Sequence, residues 1–422
     1  MKSAAWILAL MFIGSLALAG SGLAVPASKG LCSECHRTIT PGIVRDWEAS
    51  KHAQNGIDCS ACHGDAHKSA ADVNLVKIPT PETCAPCHEE RVNQFKSGKH
   101  ALAWAAMEAM PTIHYQPMAL IEGMKGCGGC HKIGLKSESE IKALKKDGGH
   151  AFGVASCDAC HTRHTFSVVE ARQPQACQTC HMGFDHPQWE MYSSSKHGVR
   201  ALLKQNGILP EGTSAPTCQT CHMQNGDHAV RTSWGFLAVR LPLPEDPTWA
   251  ADQATILQGL GVLDPAGQPT GRLEVVRAAS VARLTQEEWQ SDRDKMLSAC
   301  GECHSENFAR GELAKGDDMI REVDHLMAEA IRIVAGLYQD GTIAKPAGYA
   351  SAFPDLLTFH DASTPIEQRL FRMFLEHRMR AFQGTFHANP DYALWYGWSE
   401  MVQDLTEIKS KAAEMRERAG KN

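Results

Sequence analysis

The sequence predicts a mainly α-helical protein built from two unlike parts, a loop-rich N-terminal part and a C-terminal bundle of long helices. Three observations predict this. A five-residue motif, Cys-x-x-Cys-His, occurs eight times and uses all 16 cysteines. Seven copies crowd between Cys32 and His222, among frequent glycines, prolines and lysines. Beyond the eighth copy, apolar residues recur at helical spacing over three long stretches.

Each motif places two thiols and an imidazole on one short segment. The copies are Cys32/Cys35/His36, Cys59/Cys62/His63, Cys84/Cys87/His88, Cys127/Cys130/His131, Cys157/Cys160/His161, Cys177/Cys180/His181, Cys218/Cys221/His222 and Cys300/Cys303/His304. In a c-type haem site the thiols bond to the porphyrin and the adjacent imidazole ligates the iron. Zinc ribbons do not require a histidine directly after the second cysteine, and a disulfide framework has no reason to repeat one spacing. We therefore predict eight covalently bound c-type haems.

The N-terminus predicts export from the cytoplasm. Lys2 precedes an apolar run from Ala4 to Ala19, and small residues follow, with Ala19 or Ala24 as the expected last residue before cleavage. The run is short for a membrane span. Because haem is attached covalently outside the cytoplasm, we predict a signal peptide over residues 1–24 and a periplasmic protein.

The spacing of the motifs predicts the domain organisation. A chain that surrounds eight porphyrins cannot give each its own apolar core, so we expect the haems to pack together in a haem-dense domain over residues 25–235. A stretch rich in proline and glycine predicts a connector over 236–299, and the eighth motif and a helical domain follow over 300–422. The net charge of −6 weighs against nucleic acid and favours small ions or basic redox partners.

The helical part contains three predicted helices. The first follows apolar spacing from Met319 to Tyr338 and closes at Gly341. The second opens with a capping box at Thr364 and Glu367, with proline at the first helical position, and ends at Gly384. The third opens with Asn389 as cap, followed by Pro390, and continues through Trp398 to Met415. Three such helices predict a bundle.

The histidines outside the motifs are candidates for the second axial ligand of each iron. Electron-carrying haems generally have two axial ligands, whereas a haem that performs chemistry keeps one side open. Three of these histidines follow an aromatic residue by five positions, at Trp47/His52, Phe95/His100 and Tyr192/His197, which predicts a helical turn that presents an imidazole. With four histidines near motifs they form the predicted distal ligands: His52, His67, His100, His150, His164, His186 and His197. His377 and His387 are further candidates, because a long helix can reach back over a haem edge.

An adjacent Asp–His pair, Asp227 and His228, follows the seventh motif. Such a pair beside a haem suits proton-coupled redox chemistry on a small nitrogen or oxygen compound. The imidazole moves protons near neutral pH, and the carboxylate accepts a hydrogen bond from the substrate or tunes the imidazole. Alternatively, His228 is a distal ligand and Asp227 an ordinary loop residue. The residues alone leave both interpretations open.

Several stretches resemble the octahaem hydroxylamine oxidoreductase family. The likeness lies in the grouping of the motifs, in residues 123–131 and 177–191, in the run from Gly226 to Pro242 and in the C-terminal helices. It implies that catalysis takes place at the fourth haem, held by Cys127, Cys130 and His131, with Asp227 and His228 over its open face. It also implies seven bis-His electron-carrying haems and a hydroxylamine-like substrate. The implied partners are a cytochrome c or a membrane quinone-linked cytochrome, together with two further copies in a homotrimer.

The direction of catalysis stays open in the sequence. Family members contribute a pocket tyrosine shortly before the eighth motif, but no tyrosine occurs between Tyr192 and Tyr338. Tyr392 and Tyr396 lie where oxidative members carry a tyrosine crosslinked to the catalytic haem, whereas reductive members lack that link and act on nitrite or hydroxylamine. A non-catalytic electron conduit with eight six-coordinate haems is the alternative from another class. A pentahaem-type nitrite reductase is disfavoured because no Cys-x-x-Cys-Lys motif occurs.

Overall fold

The computed structural model describes residues 31–108, 128–146, 156–232, 234–235, 237–279, 285–347, 349, 351–358 and 362–420. Within these ranges the chain forms helices and loops, with an isolated antiparallel bridge between Leu263 and Pro269. The mainly α-helical prediction is confirmed. In the same ranges, no helix combines the length and the apolar character needed to cross a membrane.

The N-terminal part consists of short helices joined by loops. Its α-helices span Leu31–Ile39, Pro41–Ala49, Lys51–Gln54, Cys59–His63, Pro81–Lys96, Ala103–Glu108, Gly128–His131, Glu138–Lys146, Val168–Ala171, Gln175–Gln178, Gln188–Ser193, Lys196–Gln205 and Cys218–His222, with 3-10 turns at Ala70–Leu75, His100–Leu102, Cys157–Ala159 and Gln224–Gly226. Several begin inside a motif and have a capping side chain. Asp58, for example, accepts a hydrogen bond from the Ser60 amide at 2.9 Å. Such caps offset the cost of starting a helix of one or two turns.

Two predicted distal histidines share one local design. Ser50 and Ser195 cap the helices that begin at the following lysine, accepting hydrogen bonds from the Ala53 and Gly198 amides at 3.1 and 3.2 Å. His52 and His197 therefore stand at the second position of a helix whose start is fixed. The aromatic residues five positions earlier, Trp47 and Tyr192, are buried and anchor these helices to the loops around Ile57 and Pro216. The aromatic-to-histidine repeat thus has a structural cause.

The C-terminal part is built from longer helices. Its α-helices span Pro247–Gly259, Arg272–Ala279, Gln286–Gly301, Glu306–Gln339, Pro365–Arg372, Met379–Phe386, Pro390–Ala393 and Ser399–Ala419, with π-helical segments at Met373–Arg378 and Leu394–Trp398. The three predicted helices are confirmed, with corrections to their outlines. The first begins earlier, at Glu306, because Ser305 caps it by accepting a hydrogen bond from the Phe308 amide. Each of the other two is interrupted by a π-helical segment.

A continuous apolar core runs through the C-terminal part. It contains buried residues from Leu237 to Ala412, including Ile331 on the long helix Glu306–Gln339. The helix Pro247–Gly259 packs in this core through Ile256 and Leu257, although its stretch was predicted as a connector. Asp246 caps this helix by accepting a hydrogen bond from the Trp249 amide at 2.9 Å, so a proline-containing segment still forms a helix. The domain boundaries themselves stay predictions.

A buried ion pair lies inside the same core. The Arg378 guanidinium contacts Asp324 at 2.6 Å, and both side chains are fully buried. Trp249 and Gln253 donate to the other carboxylate oxygen at 2.8 and 2.6 Å. Arg378 also donates to the carbonyl oxygen of Leu237 at 2.7 Å. The pair therefore ties four segments together, and its charges are matched by hydrogen bonds.

The two parts meet at the segment that carries the sixth motif. The Gln188 side-chain amide donates to Gln383 at 3.0 Å, and the Asn389 amide donates to the Met191 carbonyl at 2.8 Å. Gln383 and Asn389 are buried. The C-terminal helices therefore hold the loop that follows His181 in place.

Candidate haem-binding and catalytic site

The motif histidines each face a second histidine. We number the sites 1 to 8 in the chain order of their motifs. The distances between ring centres are 6.1 Å for His36–His67, 6.2 Å for His63–His164, 6.2 Å for His88–His52, 6.1 Å for His131–His186, 6.2 Å for His161–His228, 6.0 Å for His181–His100, 6.3 Å for His222–His387 and 6.2 Å for His304–His197. The narrow spread indicates a shared geometric cause at all eight sites.

These separations fit bis-histidine coordination of one iron. An imidazole nitrogen binds a transition metal at about 2 Å, so two imidazoles on opposite sides of one ion have ring centres about 6 Å apart. Burial lowers the pKa of His181 to about 3 and that of His387 to about 4. These two imidazoles are therefore neutral, which is the form that ligates a metal. The residues present fit covalently attached haem.

One continuous cavity connects the sites. It encloses about 3460 Å³, and its wall contains at least one cysteine of every motif together with the eight facing histidines. Pockets for a single small molecule are usually about 300–1,000 Å³. None of the cysteines in the described ranges forms a disulfide bond. A shared interior lined by thiols and imidazoles is the arrangement expected when closely packed cofactors replace an apolar core.

Contacts between thiols give the order of the sites. The thiols of Cys84 and Cys157, of Cys177 and Cys218, and of Cys130 and Cys180 lie close enough to shift one another's pKa. Burial, and then a neighbouring thiol of another motif, raise the pKa of four cysteines: Cys59 beside Cys32, Cys62 beside Cys84, Cys160 beside Cys177 and Cys221 beside Cys300. The sites therefore follow one another as 1, 2, 3, 5, 6, 7 and 8, and site 4 branches from site 6.

Two predicted attachment cysteines lie off the cavity wall. Cys35 of the first motif and Cys303 of the eighth are exposed and do not line the cavity, whereas their motif partners Cys32 and Cys300 do. His304 is also exposed and lies off the cavity wall. Sites 1 and 8 stand at the two ends of the series, whereas the exposed Cys87 of site 3, inside the series, lines the cavity. Haem attachment to Cys35 and Cys303, as at the other motifs, stays a prediction.

Site 4 combines His131 with an adjacent Asp–His pair. His186 lies 6.1 Å from His131, ring centre to ring centre, and its Nδ1 is 2.6 Å from Asp185 Oδ1. Burial favours a raised pKa for Asp185, but the hydrogen bond and the charge of His186 outweigh it and hold the pKa below the ordinary value. The ring of His186 also lies 6.2 Å from His181, which already faces His100. His186 thus borders two neighbouring sites.

A short loop positions this pair. Gly183 has a φ of +92°, a conformation that side chains disfavour, and its amide donates to Glu190 Oε1 at 2.9 Å. The Trp189 amide donates to the His181 carbonyl at 2.9 Å. The loop is therefore closed on both sides and held from the C-terminal part through Gln188. This run carries part of the family resemblance, but its Asp–His pair was not predicted as catalytic, although two adjacent residues of these types are a sufficient signal.

The other Asp–His pair lies elsewhere. His228 faces His161 at site 5, at 6.2 Å and with nearly parallel rings, and its Nδ1 is 2.7 Å from the Gly226 carbonyl oxygen. Asp227 accepts a hydrogen bond from the Ala229 amide at 2.9 Å, two residues along the chain. The carboxylate therefore closes a local turn, as aspartate often does. This position differs from the expected one over the fourth haem.

Most of the predicted distal histidines face a motif histidine in the structure. The structure brings six of the seven opposite a motif histidine, namely His52, His67, His100, His164, His186 and His197. His150 and Cys127 lie outside the described residues, as does the stretch 1–24. His228 and His387 complete the facing set, whereas His377 is buried against Asp404, with Nδ1 to Oδ2 at 2.5 Å. His387 was missed as a firm candidate because it stands at a helix end far along the chain.

The rings of the two candidate crosslink tyrosines lie next to each other, tilted by 37°. The rings of Tyr392 and Tyr396 are 5.0 Å apart, and Tyr396 is exposed together with Trp395. Burial, and then the nearby Glu190 carboxylate, raise the pKa of Tyr392. Tyr392 therefore lies close to the residue that closes the site 4 loop. The crosslink itself stays a prediction.

Similar sequences come from multihaem proteins. A family profile described as "Seven times multi-haem cytochrome CxxCH" matches residues 55–240 and 272–348. A probable nitrite reductase-hydroxylamine oxidoreductase fusion protein of Kuenenia stuttgartiensis is 26% identical over 91% of this chain and 51% of that protein. The multiheme cytochrome MtrA of Shewanella baltica (strain OS185) is 24% identical over 48% of this chain and 59% of that protein. The chain spans about half the length of the curated relatives it matches.

Solved structures agree with these sequences. The reducing HAO-like protein complex of Kuenenia stuttgartiensis superposes with a TM-score of 0.66, at 25% identity, over 92% of this chain and 85% of that one. A hypothetical multiheme protein has the same TM-score at 20% identity, over 95% and 98% of the two chains, and so shares the fold. With a family profile that covers more than half of its residues, the chain belongs to the multihaem CxxCH cytochromes, and its relatives there include proteins that resemble hydroxylamine oxidoreductase.

Proposed function

We propose that this chain is an oxidoreductase that converts hydroxylamine or a related small nitrogen compound at site 4, while the other seven sites carry electrons. The observation that supports it is the Asp185–His186 pair, whose imidazole faces His131. The names of the relatives support the same substrate class. On this proposal Asp185 and His186 take the role that the sequence resemblance assigned to Asp227 and His228.

The proton chemistry at site 4 follows from one hydrogen bond. The haem that Cys127, Cys130 and His131 would hold supplies an iron that can bind nitrogen and exchange electrons. Asp185 stays ionised near neutral pH because its pKa is lowered, and its Oδ1 keeps a proton on His186 Nδ1. Nε2 is then the atom that accepts a proton from the substrate or donates one to it. The carboxylate compensates the positive charge formed on the ring, so no unpaired ion is buried.

A second candidate function is supported by the repeated geometry. The 6.1 Å between His131 and His186 matches the spacing of the other seven pairs, which is also what a sixth ligand would give. If His186 ligates the iron, all eight sites are closed and the protein is an electron conduit. The similarity to MtrA, a multiheme cytochrome, agrees with that alternative.

Electron paramagnetic resonance of the fully oxidised protein separates the two functions. An open site 4 gives a high-spin ferric signal from one haem in eight, whereas a conduit gives low-spin signals only. Hydroxylamine is then added without oxygen. We expect prompt reduction of the c-haem absorption bands if the chain works in the oxidative direction. If it works in the reductive direction, we expect the pre-reduced protein to be reoxidised by nitrite or hydroxylamine. Low-spin signals with inertness in both assays would favour the conduit.

The role of the Asp–His pair is tested by two matched variants. Replacing His186 with alanine is expected to lower turnover by about 10²–10⁴-fold, the usual contribution of a proton-transferring side chain, with haem content unchanged. Replacing His228 with alanine is expected to convert site 5 to high spin and to leave ligand binding at site 4 intact. Full turnover in the His186→Ala protein, with substrate binding lost in the His228→Ala protein, would return the role to Asp227 and His228.

The remaining features of the protein are proposals of the same kind. We infer eight haems, export to the periplasm with removal of residues 1–24, and a homotrimer with a cytochrome or quinone-linked redox partner. The exposed Trp395 and Tyr396 on the C-terminal π-helical segment support an intermolecular contact there. Intact mass spectrometry of the purified protein counts the haems and locates the mature N-terminus. Analytical ultracentrifugation gives the number of subunits.

A further inference from the structure

The histidines that face each other at the eight sites differ in what their Nδ1 atoms contact. Most of the resolved partners are neutral oxygens: Thr40 Oγ1 for His36 at 2.8 Å, Lys77 O for His63 at 3.1 Å, Gln188 Oε1 for His181 at 3.3 Å, Arg231 O for His222 at 2.7 Å, Gly226 O for His228 at 2.7 Å and Gln383 O for His387 at 2.7 Å. Carboxylates stand at two places in the described part of the chain, Asp185 at site 4 and Asp72 at site 1. The chemistry proposed for site 4 does not use Asp72.

Asp72 is fixed by its own turn. Its Oδ1 lies 2.8 Å from His67 Nδ1 and accepts hydrogen bonds from the backbone amides of Lys68 and Ser69 at 3.0 and 2.8 Å. Ser69 in turn caps the 3-10 turn Ala70–Leu75. The carboxylate therefore points at the imidazole for structural reasons, and three N–H donors favour its ionised form. Both side chains are about one quarter exposed.

A carboxylate on the far nitrogen changes what the imidazole does to a bound iron. The hydrogen bond makes the ligand more basic, and hydrogen bonding to axial ligands is one of the ways a protein sets a haem potential. A more basic ligand and a nearby negative charge both stabilise the ferric state, which lowers the reduction potential. Water screens part of the effect, because the pair is partly exposed. At site 2 the corresponding partner of His63 is a neutral backbone carbonyl.

We propose that Asp72 sets site 1 to a lower reduction potential than site 2, and that site 1 is the end of the chain at which electrons enter. The difference in potential rests on the pairing of His36 with His67 and on the order of the sites, whereas the entry of electrons at site 1 rests on the reductive direction of the proposed function. A reduced one-electron carrier protein of low potential is the class of donor that fits. In this step the donor loses one electron and site 1 gains it. No bond forms or breaks, and Asp72 remains ionised before and after.

The potential is measured on the complete haem-loaded protein by spectroelectrochemical titration. Asp72→Asn keeps an oxygen acceptor for His67 but removes the charge. At the wild-type midpoint of site 1 we expect the variant to shift the ratio of reduced to oxidised haem about tenfold toward reduced, which is 59 mV for a one-electron couple. Ser69→Ala, which weakens the same turn and keeps the carboxylate, is the matched control and is expected to titrate like the wild type. Superimposable titrations of Asp72→Asn and wild type would overturn the proposal.

Ligation and direction are measured separately. In His67→Ala one low-spin ferric signal should disappear, and it should belong to the haem that shifts in Asp72→Asn. Unchanged low-spin signals would overturn the pairing at site 1, whatever the turnover of the His186→Ala protein. In stopped-flow mixing with a reduced low-potential carrier, Asp72→Asn should delay reduction of the later sites several-fold. The reason is that a raised potential at site 1 makes electron transfer from site 1 to site 2 less favourable. An unchanged delay would overturn site 1 as the point where electrons enter.

Discussion

The N-terminal and C-terminal parts of this molecule are held together by different material. In the described residues, the apolar clusters of buried side chains all lie between Trp234 and Ala412. Before Trp234, buried apolar residues are scattered along the chain, and several of them, such as Trp47 and Phe95, line the shared cavity. The C-terminal part therefore has a core made of side chains, whereas the core of the N-terminal part consists of the sites themselves.

The two parts therefore obtain their folding free energy from different sources. The long helix Glu306–Gln339 buries Ile320, Val323, Met327 and Ile331 completely. Burying one such side chain contributes about 1.5–3 kcal/mol. Between residues 31 and 232 the helices are short and few of their apolar residues meet one another. Folding there is expected to depend on cofactor attachment, as it does in small metal-containing domains.

The largest effect is expected when the haems are absent, because only the N-terminal part should then lose its structure. In the chain produced without haem attachment, backbone amides of the helix Glu306–Gln339 should keep slow hydrogen exchange, because their packing does not use the motifs. Those of the N-terminal helices, such as Pro81–Lys96, should exchange nearly as fast as unfolded chain. Hydrogen exchange with mass spectrometry measures both in one sample. Equal protection in the two parts would contradict a cofactor-dependent core.

The same difference explains how much of the fold was predictable. The C-terminal helices were predicted because apolar periodicity reports a core made of side chains, and caps such as Thr364 mark their starts. The π-helical segments at Met373 and Leu394 were not, since a single-residue widening of a helix leaves no periodic trace. The helix Pro247–Gly259 was missed because its prolines and flanking glycines are typical of a connector.

The parts of the candidate site that come from one short segment of the sequence could be predicted. Each motif carries its thiols and imidazole within five residues, so the candidate attachment positions follow from spacing alone. Spacing does not tell which thiols face solvent, as Cys35, Cys87 and Cys303 do. The facing histidines come from other segments, and nothing local states which motif His387 or His228 faces.

The two Asp–His pairs show the same limit. Both have the same two adjacent residues, and the sequence alone does not distinguish them. In the fold, Asp227 accepts a hydrogen bond from the Ala229 amide, whereas the carboxylate of Asp185 lies 2.6 Å from His186 Nδ1. The role of such a pair therefore depends on the loop that carries it.

The buried ion pair of the C-terminal part offers the next largest effect. Replacing Asp324 with alanine leaves Arg378 charged and unpaired in the core, which should cost about 3–5 kcal/mol of unfolding free energy. Asp318→Ala, on the same helix but exposed, is the matched control and should change stability by less than about 0.5 kcal/mol. Denaturant unfolding is followed by far-ultraviolet circular dichroism, with haem absorption recorded in parallel. Loss of haem signals before helix content would mean that the two parts do not differ as described.

The smallest effect is expected when one helix cap is removed in each part and the two responses are compared. Ser195 caps the helix that carries His197, and Thr364 caps the helix that begins at Pro365. Removing either cap with alanine should cost about 1 kcal/mol. In the C-terminal part the loss should appear as a lower unfolding midpoint and leave the haem spectra unchanged. In the N-terminal part it should loosen the hold on His197 and broaden the low-spin signal of site 8, because there the cap orients a ligand. Identical responses to the two variants would mean that helix capping serves stability alone in both parts.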